Sequence, residues 1–247
     1  MKQQGILIDP LTKYNNLVIY SPHFDDAFLS LGGYLGLSKY FRKNVVIVIV
    51  FGLSDYQSKK VSPIVNEDII LISQKRKMEE MQNINYLSCE LKVFNNISAL
   101  SRGHKIERNN TTPFPTELLE FDKSTVTSVR KTLYEYAKSQ SNESLHLFPL
   151  AIGKHIDHVI TNQAGWDLYR TETNVAFYED LPYAANYSID KQIVNLTPII
   201  LPVDIKDKLK FILNYKTQNT IEWIDEILNY MNSLNSQNGE FYERIWL

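Results

Sequence analysis

The sequence predicts an α/β fold with a mainly parallel sheet, and three observations point to it. Two short apolar runs rich in β-branched residues, Leu17–Tyr20 and Val45–Phe51, lack polar–apolar alternation and read as strands buried on both faces. Segments of helical length or periodicity fall between such runs along the chain, the order of a βαβ fold. The chain has 247 residues, 44% of them hydrophobic, and no linker-like stretch, so one domain over residues 1–247 with one sizeable core is expected.

Asp26–Tyr40, between the first two strands, is long enough for a crossover helix, which makes a right-handed βαβ unit. Ile72–Leu87 carries Met78, Met81, Ile84 and Leu87 at helical spacing. Lys92–Phe94 is a weak third strand. Thr125–Ser139 is amphipathic, with Val126, Val129, Leu133 and Ala137 on one face. Leu145–Leu150 reads as a strand, His158–Tyr169 as a helix, Val175–Tyr178 as a strand and Ile199–Val203 as a late strand. Two helices, Lys206–Tyr215 and Ile221–Leu234, are expected to close the chain. Gly32, Gly33 and Gly36 each cost ~1 kcal/mol against alanine inside a helix, which predicts close approach of the first helix to a neighbouring backbone. Ser98–Thr116 is polar and reads as a disordered loop or a substrate lid, with His104 a plain loop histidine.

Composition narrows the function classes. Net charge is -2 with a pI near 6.2, and no Lys/Arg cluster is dense enough to track phosphates, so nucleic acid is not expected as a partner. The longest apolar run is far shorter than the ~20 residues of a membrane span, and residues 1–16 lack an apolar signal core. A soluble cytoplasmic protein is the expectation. Cys89 is the only cysteine, so a disulfide framework and a Cys-rich zinc site are both excluded. Any metal must be held by His, Asp and Glu.

Three of the five histidines lie beside aspartates at strand ends. Ser21-Pro22-His23-Phe24-Asp25-Asp26 follows the first apolar run, and His155-Ile156-Asp157-His158 follows the Leu145–Leu150 run. In an open α/β sheet, ligands bind beyond the carboxyl ends of the strands. If those two strands are neighbours, the clusters converge. Two His and one Asp then make an open site suited to zinc, with a spare aspartate to take a proton. The same residue types also suit Fe(II).

These motifs resemble the LmbE-like (PIG-L) family of metal-dependent N-deacetylases. Pro22 to Asp26 with Gly32-Gly33 matches its Pro-His-x-Asp-Asp…Gly-Gly motif, and His155 to His158 matches His-x-Asp-His. Pro149 to Gly153, Phe177 to Tyr183, Arg76 with Glu79, and Tyr215-Lys216-Thr217-Gln218 extend the likeness over about Asn16 to Gln218. The resemblance implies a Rossmann-like three-layer αβα sandwich. It implies His23, Asp26 and His158 as ligands of Zn2+ (Fe2+ or another divalent ion being the alternative). Asp25 would be the general base activating the metal-bound water, and His155 would stabilise the oxyanion. Asp157 would orient one of the histidines or cap the helix that follows. Arg76 would face substrate or brace the site, and Tyr183 is a weaker pocket residue. The implied reaction removes an N-acetyl group from a small amino sugar or sugar conjugate, and a homo-oligomer is left open. Two departures stand out: Phe24 replaces the family's common Pro, and Ala27 replaces its common Glu. Two other classes compete, a different Fe(II) enzyme using the same His/Asp site and a non-catalytic binding protein on the same fold.

Overall fold

The structure is a computed structural model and describes residues 8–58, 68–104, 118–172, 174–187, 195–218, 220–235 and 240–247. Its centre is a seven-stranded sheet. The strands are β1 (Asn16–Ser21), β2 (Asn44–Ile49), β3 (Glu90–Val93), β4 (Ser144–Pro149), β5 (Val175–Tyr178), β6 (Pro198–Pro202) and β7 (Tyr242–Trp246), arranged in the order β3-β2-β1-β4-β5-β7-β6. The first five are mutually parallel, and β7 runs antiparallel between β5 and β6. Leu17 and Ile19 face one layer while Val18 and Tyr20 face the other, as the two-residue period of a strand requires. All four are buried, which is why the run shows no alternation of polarity.

The helices form a layer on each face. On one side α1 (Asp26–Gly36), α2 (Ile69–Leu87) and α7 (Ile205–Leu213) bury Phe28, Ile84 and Phe211 among others. On the other, α4 (Lys123–Lys138) and α5 (Ile156–Tyr169) bury the predicted stripe Val126, Val129, Leu133 and Ala137 together with Ile156, Ile160 and Leu168. This is the expected αβα sandwich. Short helices α3 (Leu118–Phe121) and α6 (Tyr183–Asn186) and the later α8 (Ile224–Ser233) complete it, α8 covering a smaller cluster of Leu29, Ile152, Leu181 and Met231.

Several boundaries differ from the sequence reading. α1 ends at Gly36, and turns lead to Phe41. α2 begins at Ile69, where the Asp68 side chain accepts the Ile70 N–H. α5 begins two residues early. The chain does not close on two helices, because β7 follows them. β7 is only five residues long and carries Glu243 and Arg244 at its centre, so its polarity hid a strand set deep in the sheet. Glu243 is 1% exposed and forms a buried ion pair with Lys208 at 2.6 Å. The Glu243 carboxylate also accepts the main-chain N–H groups of Gly33 and Tyr34 in the middle of α1. The expected close approach is present: the Asp204 N–H donates to the Gly33 carbonyl, and a Cβ on Gly33 would stand 2.5 Å from Val203.

The Ser98–Thr116 loop lies partly outside the described residues. Its first part is a built segment with a 3-10 turn at Leu100–Arg102, and His104 is only 5% exposed, so it is not a plain loop histidine. No described helix is long and apolar enough to cross a membrane.

Candidate metal centre and active site

The chain departs from β1 in one direction, to β2 and β3, and from β4 in the other, to β5. β1 and β4 are neighbours, so the topological switch point lies between them. His23, Asp25 and Asp26 leave the end of β1, and His155, Asp157 and His158 follow β4. The two sequence clusters therefore converge, with the three imidazole centroids 5.0–5.4 Å apart.

Local backbone geometry separates the two consecutive aspartates. Asp25 has φ 110°, a region that a residue with a Cβ enters only at a cost of about 1–3 kcal/mol. It is the N-cap residue of α1, so Asp26 opens the helix. The turn is held by Ser21, whose hydroxyl donates to the His23 carbonyl and accepts the Ala27 N–H. Asp26 points at the histidines. Its Oδ2 accepts the His23 N–H at 2.8 Å and lies 3.2 Å from His23 Nδ1 and 3.4 Å from His158 Nε2. Asp25 is in neither group of converging donor atoms, and Arg76 Nη2 stands 3.4 Å from its Oδ1. Arg76 is 4% exposed and also donates to the Phe24 carbonyl and the Ser54 hydroxyl. These three contacts tie Arg76 to Asp25 and to the turn that carries it.

Among the described residues, two groups of donor atoms lie within 4.8 Å of one another: His23, Asp26 and His158, and His23, His155 and Asp157. The chemistry separates them. Asp157 Oδ1 accepts from Arg102 at 2.8 Å, and its Oδ2 accepts the Ala99 N–H and faces His23 Nε2 at 2.8 Å. Both oxygens of this carboxylate are therefore already taken up by other partners. In the first group, both histidines have one nitrogen beside Asp26 and the other on a carboxylate. His23 Nε2 donates to Asp157, and His158 Nδ1 donates to Asp180 Oδ1 at 2.6 Å. Each bond leaves the lone pair on the inner nitrogen, the arrangement found behind histidine metal ligands. The residues thus fit a divalent ion held by two imidazoles and one carboxylate.

Electrostatics follow the same division. Burial pushes the Asp25 carboxyl up to about 7, the Asp26 charge adding and the Arg76 guanidinium opposing. Burial would raise Asp26 too, but the His158 and His23 rings outweigh it and hold it well below the usual carboxylate range. Without a metal, burial would depress both inner histidines, yet Asp157 and Asp26 raise His23, and Asp26 and Asp180 raise His158 strongly. Asp157 is held low, its burial outweighed by His23 and Arg102. Burial keeps His155 neutral. His155 is the N-cap of α5: its Nδ1 accepts the Asp157 N–H at 3.3 Å, so the neutral ring carries its proton on Nε2. The cap expected of Asp157 therefore falls to His155.

Tyr183, at the start of α6, sets its ring edge-on to His158 with centroids 5.6 Å apart. Gly153, with φ +84°, lies against it, and a Cβ there would stand 2.6 Å from the ring. Sequence reasoning left Asp180, Arg102 and Glu80 without roles. Asp180 had a usable signal, an acid just past the end of β5. Glu80 lies beneath the site, with its Oε2 accepting from Tyr215 at 2.6 Å, and burial pushes it up to about 8.

No family model matches the chain, and no curated protein matches it in sequence. Solved structures match its fold. A deacetylase of the teicoplanin biosynthesis pathway, in complex with teicoplanin, is 20% identical, with 94% of this chain and 97% of that one covered and a TM-score of 0.75. The N,N'-diacetylchitobiose deacetylase of Pyrococcus horikoshii is 15% identical over 96% and 84% of the two chains, at a TM-score of 0.56. GalB, the 4-carboxy-2-hydroxymuconate hydratase of Pseudomonas putida KT2440, is 13% identical over 94% and 95%, at 0.59. The chain has the α/β fold of these enzymes.

Proposed function

We propose that this chain is a metal-dependent N-deacetylase acting on a small N-acylated amino sugar or sugar conjugate. The observation that carries the reading is the split between adjacent carboxylates. Asp26 closes a three-donor group with His23 and His158, while Asp25 stands apart on Arg76. The two deacetylases that share the fold support the reaction type, and the diacetylchitobiose and teicoplanin of their names support a sugar-derived substrate. Fold alone does not decide it, because a hydratase shares the architecture.

His23, Asp26 and His158 would hold the ion, zinc being the choice that suits two imidazoles and one carboxylate. When bound, the ion supplies Lewis acidity toward a water and the acyl carbonyl. Asp25, poised near neutrality, accepts the proton of the attacking water and returns it to the leaving amine. Arg76 acts behind Asp25, fixing its direction. His155 donates from Nε2 to the oxygen that gains charge as the carbonyl becomes tetrahedral. Asp157 and Asp180 hold the tautomers of His23 and His158. Tyr183, beside His158, is the candidate substrate contact.

A panel of N-acetylated sugars and sugar conjugates, with free amine measured with and without chelator, tests the proposal. Amine release that chelator abolishes and zinc restores is expected. Turnover by hydration of an unsaturated acid, with no amine released from any panel member, would overturn it.

A further inference from the structure

Beyond the groups that ring the site, Arg102 ties the segment that follows Ile97 to Asp157, the carboxylate on His23. Arg102 Nη1 donates to Asp157 Oδ1 at 2.8 Å and to the Ile97 carbonyl at 2.6 Å. Its other edge forks onto Asp122, with Nη2 to Oδ2 at 2.6 Å and Nε to Oδ1 at 3.1 Å. Asp122 is the N-cap residue of α4, and Asp157 lies in the first turn of α5. One guanidinium thus bridges the starts of two helices. The guanidinium carbon lies 5.2 Å from the centroid of Phe51, whose ring also flanks His23. His104 Nε2, 2.6 Å from Asp122 Oδ2, holds that carboxylate from a second direction.

The consequence falls on His23. Asp157 has one oxygen on Arg102 and the other on the Ala99 N–H and His23 Nε2. Both donors, Ala99 and Arg102, come from the same short segment, so that segment sets the rotation of the carboxylate. The carboxylate in turn sets the plane of the His23 ring and the direction of Nδ1 toward Asp26. Resting on the metal-site reading above, we propose that Arg102 is a positioning residue. Anchored on Asp122, it aims His23 at the metal through Asp157. A lysine could place a charge there, but it has no planar fork with which to span two carboxylates.

The test is metal affinity, measured by chelator competition with Zn2+ on wild type, Arg102→Met, Arg102→Lys and Asp122→Asn. Carboxylates behind ligating histidines are worth roughly 10- to 100-fold in metal affinity. Arg102→Met is expected to lose that much, Arg102→Lys to fall between it and wild type, and Asp122→Asn to weaken binding several-fold with Arg102 still present. The last variant decides the matter if Arg102→Met does not fold. Folded Arg102→Met, or Asp122→Asn, binding Zn2+ as tightly as wild type would overturn the proposal alone. A wild-type protein that takes up no Zn2+ would overturn it together with the functional reading on which it rests.

Discussion

His158 Nδ1 and Asp180 Oδ1 are 2.6 Å apart, and both side chains are buried. Asp180 follows β5 and also accepts the Ile152 N–H, so the carboxylate is tied both to the histidine and to the loop after β4. The bond fixes which His158 nitrogen carries a proton and which faces Asp26.

Replacing Asp180 with Asn therefore weakens the metal site without removing a ligand. Zinc affinity is expected to fall about 10- to 100-fold, while the metal-free protein stays folded. Chelator competition monitored beside circular dichroism checks both parts. Wild-type affinity in the variant would leave the Asp180 bond without a role at the metal.

His155 is expected to act on the rate more than on binding. It is buried and neutral, with Nδ1 occupied by the Asp157 N–H. Loss of one donor to a developing oxyanion costs roughly 100- to 1,000-fold in kcat. His155→Ala should show that loss with a small change in KM and with metal content retained. A rise in KM at constant kcat would assign His155 to ground-state binding.

Glu80 connects the site to stability against pH. Its folded pKa is raised from 4.5 to about 8 by burial, so the folded state holds a proton that the unfolded chain releases. The associated stability is full below the unfolded value of 4.5 and is lost as pH rises through about 8. Glu80→Gln keeps an acceptor for Tyr215 and has no proton to lose. Urea unfolding of the metal-free proteins at pH 5 and pH 8 should show a smaller decline for the variant. Equal declines would mean that Glu80 does not titrate in this range.

The Lys208–Glu243 pair makes a different prediction. Both side chains are fully buried, and Lys208 also donates to the Leu29 carbonyl. Lys208→Met leaves the Glu243 carboxylate in the core without its counter-ion, held only by the Gly33 and Tyr34 N–H groups, and breaking such a pair costs about 3–5 kcal/mol. Adding Glu243→Gln should recover part of the loss, as a double-mutant cycle in urea would show.

How legible the molecule is from its sequence follows from where the signals lie. Leu17–Tyr20 and Leu145–Leu150 announce buried parallel strands because both faces must be apolar, and the histidines and aspartates that follow them are then at the ligand end of the sheet by topology alone. The adjacency of β1 and β4 was the one condition the sequence reading needed, and the register confirms it. β7 was missed for a physical reason: Glu243 and Arg244 read as solvent-facing, yet Glu243 is neutralised by Lys208 and by two N–H groups of α1. Long-range pairing of this kind leaves no local pattern. Arg102 and His104 sat in a segment whose polarity suggested a loose loop, and only the folded chain shows them converging on Asp122. The roles expected of Asp25 and Asp26 came from the motif, whereas the backbone that separates their side chains, φ 110° at Asp25, has no sequence pattern of its own.

In the proposed reaction Asp25 is the base of a metal-dependent amide hydrolysis. The most direct measurement is acetate release by zinc-loaded Asp25→Asn, on whichever acylated substrate the panel identifies, beside its zinc content. Wild-type zinc content with a rate lower by roughly 100- to 10,000-fold is expected. Wild-type acetate release from the zinc-loaded variant would contradict it.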